Sequence, residues 1–332
     1  MTDRKQEHNA AYYCEGIVKG DRAILSRAIT LAESLKPEHQ ALSSHILELL
    51  PSPGKTSFRL GITGVPGVGK STFIESFGQL LSKQGHRIAV LAVDPSSTRS
   101  KGSILGDKTR MEKLSVDPNV FIRPSPSGGT LGGVTRATYE SMLLCEAAGY
   151  DFVMIETVGV GQSEVAVHKL CDFFLLLMLA GAGDELQGIK RGIMEMADAL
   201  IITKTDGDNV QKAKSARAEY AHAMHLLQAP EGGWIPEVKT CSSITNNGME
   251  EIIQMLERYR QQMTANGYFM AKRRQQQFEL LCEAMDQQLK QRFYQEPSIQ
   301  RALEQAKRAD VLHPFSEAGK LVNLFLKSSG KT

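Results

Sequence analysis

The sequence predicts an α/β protein: a doubly wound, mostly parallel sheet with helical extensions at its N-terminal and C-terminal ends. Three observations predict it. Through the middle of the 332 residues, short apolar runs alternate with amphipathic stretches, the βα rhythm of a parallel sheet covered on both faces. The first of these runs, residues 59–63, passes straight into Gly64-Val65-Pro66-Gly67-Val68-Gly69-Lys70-Ser71-Thr72, a complete G-x-x-x-x-G-K-[ST] phosphate loop between a strand and a helix. The flanking segments carry helix-period apolar stripes.

Residues 1–55 read as a helical extension. Ile24, Leu25, Ala28, Leu31 and Ala32 fall at helical spacing after a cap at Asp21, and Ala41, Leu42, Ile46 and Leu49 do so after Pro37. Pro51-Ser52-Pro53-Gly54-Lys55 marks the boundary. Residues 56–263 form the P-loop NTPase domain, with strands expected near residues 59–63, 87–93, 151–156, 173–179, 199–203 and 237–241. From residue 264 to 332 the chain is helical again: Phe278, Leu281, Met285, Leu289 and Phe293 make a narrow stripe, Pro297 and Pro314 divide the tail, and the last helix carries Leu321, Val322, Leu324 and Phe325. Such a stripe packs either on its own domain or on a second subunit.

Composition narrows the partners. A formal charge of +2, from 39 basic and 37 acidic residues, creates no global field for nucleic acid or an anionic membrane. Five cysteines, Cys14, Cys145, Cys171, Cys241 and Cys282, lie far apart with no C-x-x-C or zinc-type spacing, which suits thiols in a reducing compartment. The polar start of the chain has no following apolar core of a secretory signal, and the longest apolar run, residues 173–180, is too short to span a bilayer. A cytoplasmic or matrix protein is expected.

The phosphate loop carries the chemistry. Gly64, Gly67 and Gly69 let successive N–H groups turn inward on phosphates, and the following helix adds its positive end. Lys70 is expected to reach the β- and γ-phosphates and Ser71 to place its hydroxyl on Mg²⁺. The second strand ends in Val93-Asp94-Pro95-Ser96-Ser97. A carboxylate there faces the crevice where such sheets bind ligands, although Asp94 also fits an Asx turn before Pro95. In the glycine-containing residues 102–110, Asp107 either meets Mg²⁺ or phosphate or caps a helix through Leu114.

The strand ending at Glu156 runs into Thr157-Val158-Gly159-Val160-Gly161-Gln162. An acid at this strand end suits the metal shell, and Gly159 lets a backbone N–H approach a γ-phosphate. Val160 stands where many GTPases have the glutamine that orients water, so intrinsic hydrolysis should be slow. Base choice rests on Thr203-Lys204-Thr205-Asp206, an N-K-x-D type element with Thr replacing Asn. The Asp206 carboxylate matches the paired N1–H and N2–H₂ donors of guanine and opposes the lone pair of adenine N1. The Lys204 stem can cover the base, and backbone N–H groups of Ser242 and Ser243 are expected near guanine O6. Losing the Asn should weaken the bracing of the loop.

With these motifs assembled, the chain resembles the SIMIBI-class P-loop GTPases, and within them the methylmalonyl-CoA mutase chaperones of the MeaB and methylmalonic aciduria type A kind. The likeness covers nearly the whole chain: residues 64–72, 93–97, 102–111, 156–164 and the AGAGDELQGIKRG run at 180–192. It implies GTP and GDP binding, Mg²⁺-dependent hydrolysis that is slow alone and stimulated by a client, and a homodimer held by C-terminal helices. The implied client is an adenosylcobalamin-dependent acyl-CoA mutase, with its adenosyltransferase as a further candidate partner. By the resemblance Asp94, Asp107 and Glu156 belong to the metal and γ-phosphate network. Residues 184–190 become a further switch, in which Lys190 is a candidate catalytic residue. Members have also been labelled ArgK or LAO/AO transport system kinase, and a kinase associated with arginine/ornithine transport is the alternative reading.

Overall fold

The computed structural model describes residues 9–51, 56–94, 111–126, 131–157, 163–180, 191–225, 232–309 and 313–329. At residues 94, 125, 126, 131–134, 163, 191 and 329 this description covers the backbone alone. The chain divides into two compact units, residues 1–274 and 275–332.

In the first unit, helices α1 (Ala10–Val18), α2 (Arg22–Ala32) and α3 (Pro37–Leu49) precede the sheet. Asp21 caps α2 as its sequence position suggested, its Oδ1 accepting from the Ala23 and Ile24 amides at 2.8 and 3.1 Å. Helix α1 was not foreseen. Its buried residues, Ala10, Tyr13, Gly16 and Ile17, mix small and polar-tipped side chains, so the apolar stripe is faint in sequence.

Among the described residues seven strands make one sheet in the order β3-β2-β4-β1-β5-β6-β7, and every neighbouring pair is parallel. They are β1 (Phe58–Gly64), β2 (Ile88–Asp94), β3 (Val120–Pro126), β4 (Phe152–Thr157), β5 (Phe173–Leu179), β6 (Ala199–Thr203) and β7 (Glu237–Thr240). The sequence reading had six of these and missed β3. That strand holds Pro124 and Pro126, which argue against a central strand, and it lies at the sheet edge where a missing N–H is tolerated. Arg123 pairs with Glu33, and Arg22 donates to the Val120 carbonyl, so α2 is tied to β3.

Between the strands run α4 (Lys70–Lys83), α5 (Glu112–Ser115), α6 (Leu131–Ala147), α7 (Ser163–His168), α8 (Arg191–Met196) and α9 (Val210–His225). Helix α10 (Met249–Ala265) packs Ile252, Leu256, Tyr259 and Met263 into the main core with Phe58, Phe73, Phe173 and Trp234. The central strands β1, β4, β5 and β6 read as nearly continuous apolar runs because both faces are buried. Helix α11 (Tyr268–Gln295) is followed in the second unit by α12 (Pro297–Lys307) and α13 (Pro314–Ser329). In that unit Phe293 meets the Phe325 ring edge-on at 5.2 Å, and Ile299 is buried.

Candidate nucleotide site

Strand β1 lies at the middle of the sheet between β4 and β5, so the loop that leaves it opens at the C-terminal ends of the strands. Gly64 is required by space. A Cβ there would lie 2.5 Å from the Leu177 carbonyl oxygen, so any larger residue would push β1 and β5 apart. Gly69 caps α4 with φ +94°, a left-handed conformation that side chains disfavour. Val68 between them is fully buried, which anchors the loop to the core.

Lys70, the first residue of α4, folds over this loop. Its Nζ donates to the Gly64 carbonyl at 2.8 Å and contacts that of Val65 at 3.4 Å. Burial pushes the Lys70 ammonium down from its ordinary pKa, while the charges of Glu156 and Glu164 work in the opposite direction and are outweighed. Ser71 Oγ donates to Glu156 Oε1 at 3.3 Å, which brings the start of α4 and the end of β4 together. Glu156 is buried at 7% exposure and pairs in register with Ile62 of β1 and Ala92 of β2.

The candidate base-reading element is joined to the same loop. Thr203, the last residue of β6, donates its hydroxyl to the Val68 carbonyl at 2.7 Å, and Lys204 Nζ donates to the Gly67 carbonyl at 2.8 Å. Thr203, which stands where such elements carry Asn, bridges to the loop through a buried hydroxyl. Lys204 itself has φ +56°, unusual for a residue with a side chain. Its Cε would lie 3.7 Å from a Cβ at Gly69, so the lysine stem runs beside the loop.

Asp206 accepts a short hydrogen bond from the Ser242 hydroxyl. The Ser242 loop is fixed at several points: its N–H donates to Asn247 O at 2.9 Å, its Oγ accepts from Thr245 N at 3.2 Å, and Ser76 of α4 donates to the Ser243 carbonyl at 2.8 Å. Thus Ser242 meets the Asp206 carboxylate through its hydroxyl, while its amide is already committed to Asn247.

The structure therefore gathers residues 64–72, Glu156, Lys204, Asp206, Ser242 and Ser243 along one edge of the sheet. Asp94 ends β2 at that edge, and its description stops at the backbone. Asp107, Gly159, Val160, Gln162, Asp184 and Lys190 lie outside the described residues. Two contributors were not singled out from sequence. Glu164 is 2% exposed, and its charge acts on Lys70. Ser76 supplies a hydroxyl brace. For Glu164 the signal was its place in the 156–164 run; for Ser76 there was none, since its partner is 167 residues away.

Comparison with known proteins agrees with this geometry. A family model described as methylmalonyl Co-A mutase-associated GTPase MeaB matches residues 25–298. The chain belongs to this GTPase family. A probable GTPase of Mycobacterium bovis is 50% identical over 309 residues, covering 92% of each chain. The mitochondrial methylmalonic aciduria type A homolog of Mus musculus is 45% identical over 338 residues, 99% of this chain and 81% of that protein. Among solved structures, that of a LAO/AO transport system kinase superposes with a TM-score of 0.77 at 37% identity, covering 98% of this chain and 100% of the other. Membership in the family accounts for the P-loop sheet and the joined phosphate and base elements. Among the described residues no helix is long and apolar enough to cross a membrane.

Proposed function

We propose that this member of the MeaB family binds GTP with Mg²⁺, hydrolyses it slowly alone and faster with a client, and serves an adenosylcobalamin-dependent acyl-CoA mutase by protecting or loading its cofactor. The observation that carries the nucleotide part is the bridge from Thr203 and Lys204 to the Val68 and Gly67 carbonyls, which fixes a guanine-matching carboxylate and a phosphate loop on one frame. The client part is supported by the 45% identity with the methylmalonic aciduria type A homolog over nearly the whole chain.

The residues divide the work. The phosphate-loop amides and Lys70 hold the β- and γ-phosphates, whose negative charge would oppose the downward push of burial on the Lys70 pKa. Asp206, oriented by Ser242, accepts from guanine N1 and N2. Ser71 and Glu156 are hard oxygen donors within reach of each other, a donor set that fits Mg²⁺. Asp94 and Asp107 would complete its surroundings. That ion would neutralise charge developing on the phosphates. Val160 brings no polar group to orient water, so the client is assigned the completion of the site through residues 184–190, Lys190 among them. Gly159 would approach the γ-phosphate through its amide.

Dimerisation belongs to the same reading. Phe278, Leu281, Met285 and Leu289 are each more than half exposed in the single chain, a stripe suited to a two-fold contact. The proposed setting is cytoplasmic, without nucleic acid or membrane.

A GTPase assay with and without excess purified mutase tests the proposal. Stimulation is expected for the wild type and should be lost in Lys190→Ala with basal turnover nearly unchanged. Likeness to a solved protein named as a LAO/AO transport system kinase favours a second reading, a kinase linked to arginine/ornithine transport. Rates that no cobalamin-dependent mutase alters, together with phosphate transfer to an acceptor other than water, would select that reading.

A further inference from the structure

We infer that Arg22 and Arg87 form a binding site for a small phosphate or phosphate monoester at the N-terminal end of the sheet, where the helical extension meets β2, β3 and β4. This site is separate from the candidate nucleotide site, which opens at the C-terminal ends of the strands.

Both side chains are placed by the fold. Arg87 stands one residue before β2, and Asp151 fixes its backbone: the Asp151 Oδ1 accepts the Arg87 N–H at 2.8 Å, and the Asp151 N–H donates to the Arg87 carbonyl at 3.0 Å. The half-buried Arg87 guanidinium lies over the Tyr150 ring, 4.8 Å from its centroid, and Nη1 donates to the Ala148 carbonyl at 3.1 Å. Two glycine turns leave it room. A Cβ at Gly149 would come 2.8 Å from Nη1, and one at Gly20 would come 3.4 Å from Nη2. Arg22, the first residue of α2, reaches in from the extension and donates Nη2 to the Val120 carbonyl at 2.5 Å. Burial raises the Tyr150 phenol above its ordinary pKa, and the charges of Arg22 and Arg87 both work against that rise, so the two guanidinium groups bear on one hydroxyl.

What the pair lacks is a counter-charge. Among the described residues neither arginine makes an ion pair, although like charges gathered at one phenol repel each other. The carboxylates beside them serve other groups. Asp21 Oδ1 accepts from the Ala23 and Ile24 amides, and Asp151 pairs with His86 Nδ1 at 3.1 Å besides holding the Arg87 backbone. Each guanidinium spends one Nη on a carbonyl and keeps further N–H donors. A phosphate group, close to doubly charged at neutral pH, would offset both cations at once, and its oxygens match the guanidinium fork. A carboxylate brings a single charge and acceptors in one plane. The bound anion would also bridge Arg22 of the extension to Arg87 of the sheet.

The test titrates inorganic phosphate, glycerol phosphate and acetate into the full chain while NMR follows the side-chain Nε–H signals of Arg22 and Arg87, with chloride at matched ionic strength as the reference. Both phosphates should shift the two signals along one saturation curve, and acetate far less. Tighter binding of inorganic phosphate would mark a site for the free ion, and tighter binding of the ester a site for an esterified group. Arg22→Gln and Arg87→Gln should each weaken binding about tenfold or more, the scale of a hydrogen bond to a charged group. Phosphate can also enter the phosphate loop, so Lys70→Ala is titrated in parallel and should leave the arginine shifts as in the wild type. Wild-type shifts no larger than those with chloride would overturn the assignment whatever the variants do. So would acetate binding as tightly as phosphate, or a response lost in Lys70→Ala and kept in Arg22→Gln.

Discussion

At the scale of single residues, the site assigns different jobs to groups that lie close together. In the proposed function Asp206 decides the base, so Asp206→Asn should move preference from guanine toward xanthine nucleotides, whose base presents an acceptor where guanine carries its amino group. Calorimetric titration with GTP, XTP and ATP checks this, and equal ATP affinity in the wild type would remove the guanine assignment. The same proposal gives Lys70 and Glu156 to the phosphates. Lys70→Ala should weaken triphosphate binding and slow hydrolysis, whereas Glu156→Ala and Asp107→Ala should chiefly reduce turnover, on the order of 10²-fold. Single-turnover hydrolysis at saturating GTP separates the two effects. Normal turnover in both carboxylate variants would leave their assigned roles without support.

At the scale of elements, the end of the sheet opposite the nucleotide site is held by buried charge. Arg59 of β1 forks onto Glu146 of α6 at 2.7 and 2.9 Å, and Ser57 adds a short hydrogen bond to the same carboxylate. Arg273 of α11 donates to both oxygens of Asp172 at 2.7 and 2.6 Å, and that carboxylate also accepts the Arg59 amide at 2.8 Å. Burial raises the Glu146 carboxyl, but the hydrogen bonds and charge of Arg59, the Ser57 hydroxyl and the Arg273 charge outweigh it and hold the group below the ordinary 4.5. A carboxylate depressed in the folded state contributes stability above its unfolded pKa and loses it as pH falls through the folded one. The fold should therefore weaken below about pH 4.5, and Glu146→Gln should flatten that acid limb while lowering stability at neutral pH. Denaturant melts at several pH values measure both. Arg273→Met leaves Asp172 buried without its main partner and should cost about 3–5 kcal/mol.

At the scale of the whole molecule, the helical tail is the part whose purpose the single chain does not satisfy. Phe269 is buried in the main core, and Lys272 and Arg273 hold Asp172, so the first turns of α11 belong with the sheet. Beyond them the stripe from Phe278 to Leu289 is exposed. A chain ending at Arg274 is expected to remain folded, to bind GTP and to be monomeric, while the full chain sediments as a dimer. A truncated dimer would place the contact on the GTPase domain. Because an isologous contact uses each residue twice, Leu281→Asp should also dissociate the dimer without changing nucleotide affinity.

The sequence by itself determined what is local. The phosphate loop, the Asp21 cap, the central apolar strands and the base-reading run each declare themselves within about ten residues, because glycine spacing, capping chemistry and two-sided burial act at that range. The parallel α/β class followed from their alternation. Strand β3 was hidden by its prolines, whose tolerance depends on an edge position that only the assembled sheet supplies. Likewise the tertiary structure alone decided that Thr203 reaches Val68, that Ser242 meets Asp206 through its hydroxyl, that Glu164 lies close enough to Lys70 for its charge to act, and that Arg59 of the first strand is buried against Glu146. These are pairings between residues far apart in the chain, and hydroxyls and charges take their meaning from the partner that folding brings to them.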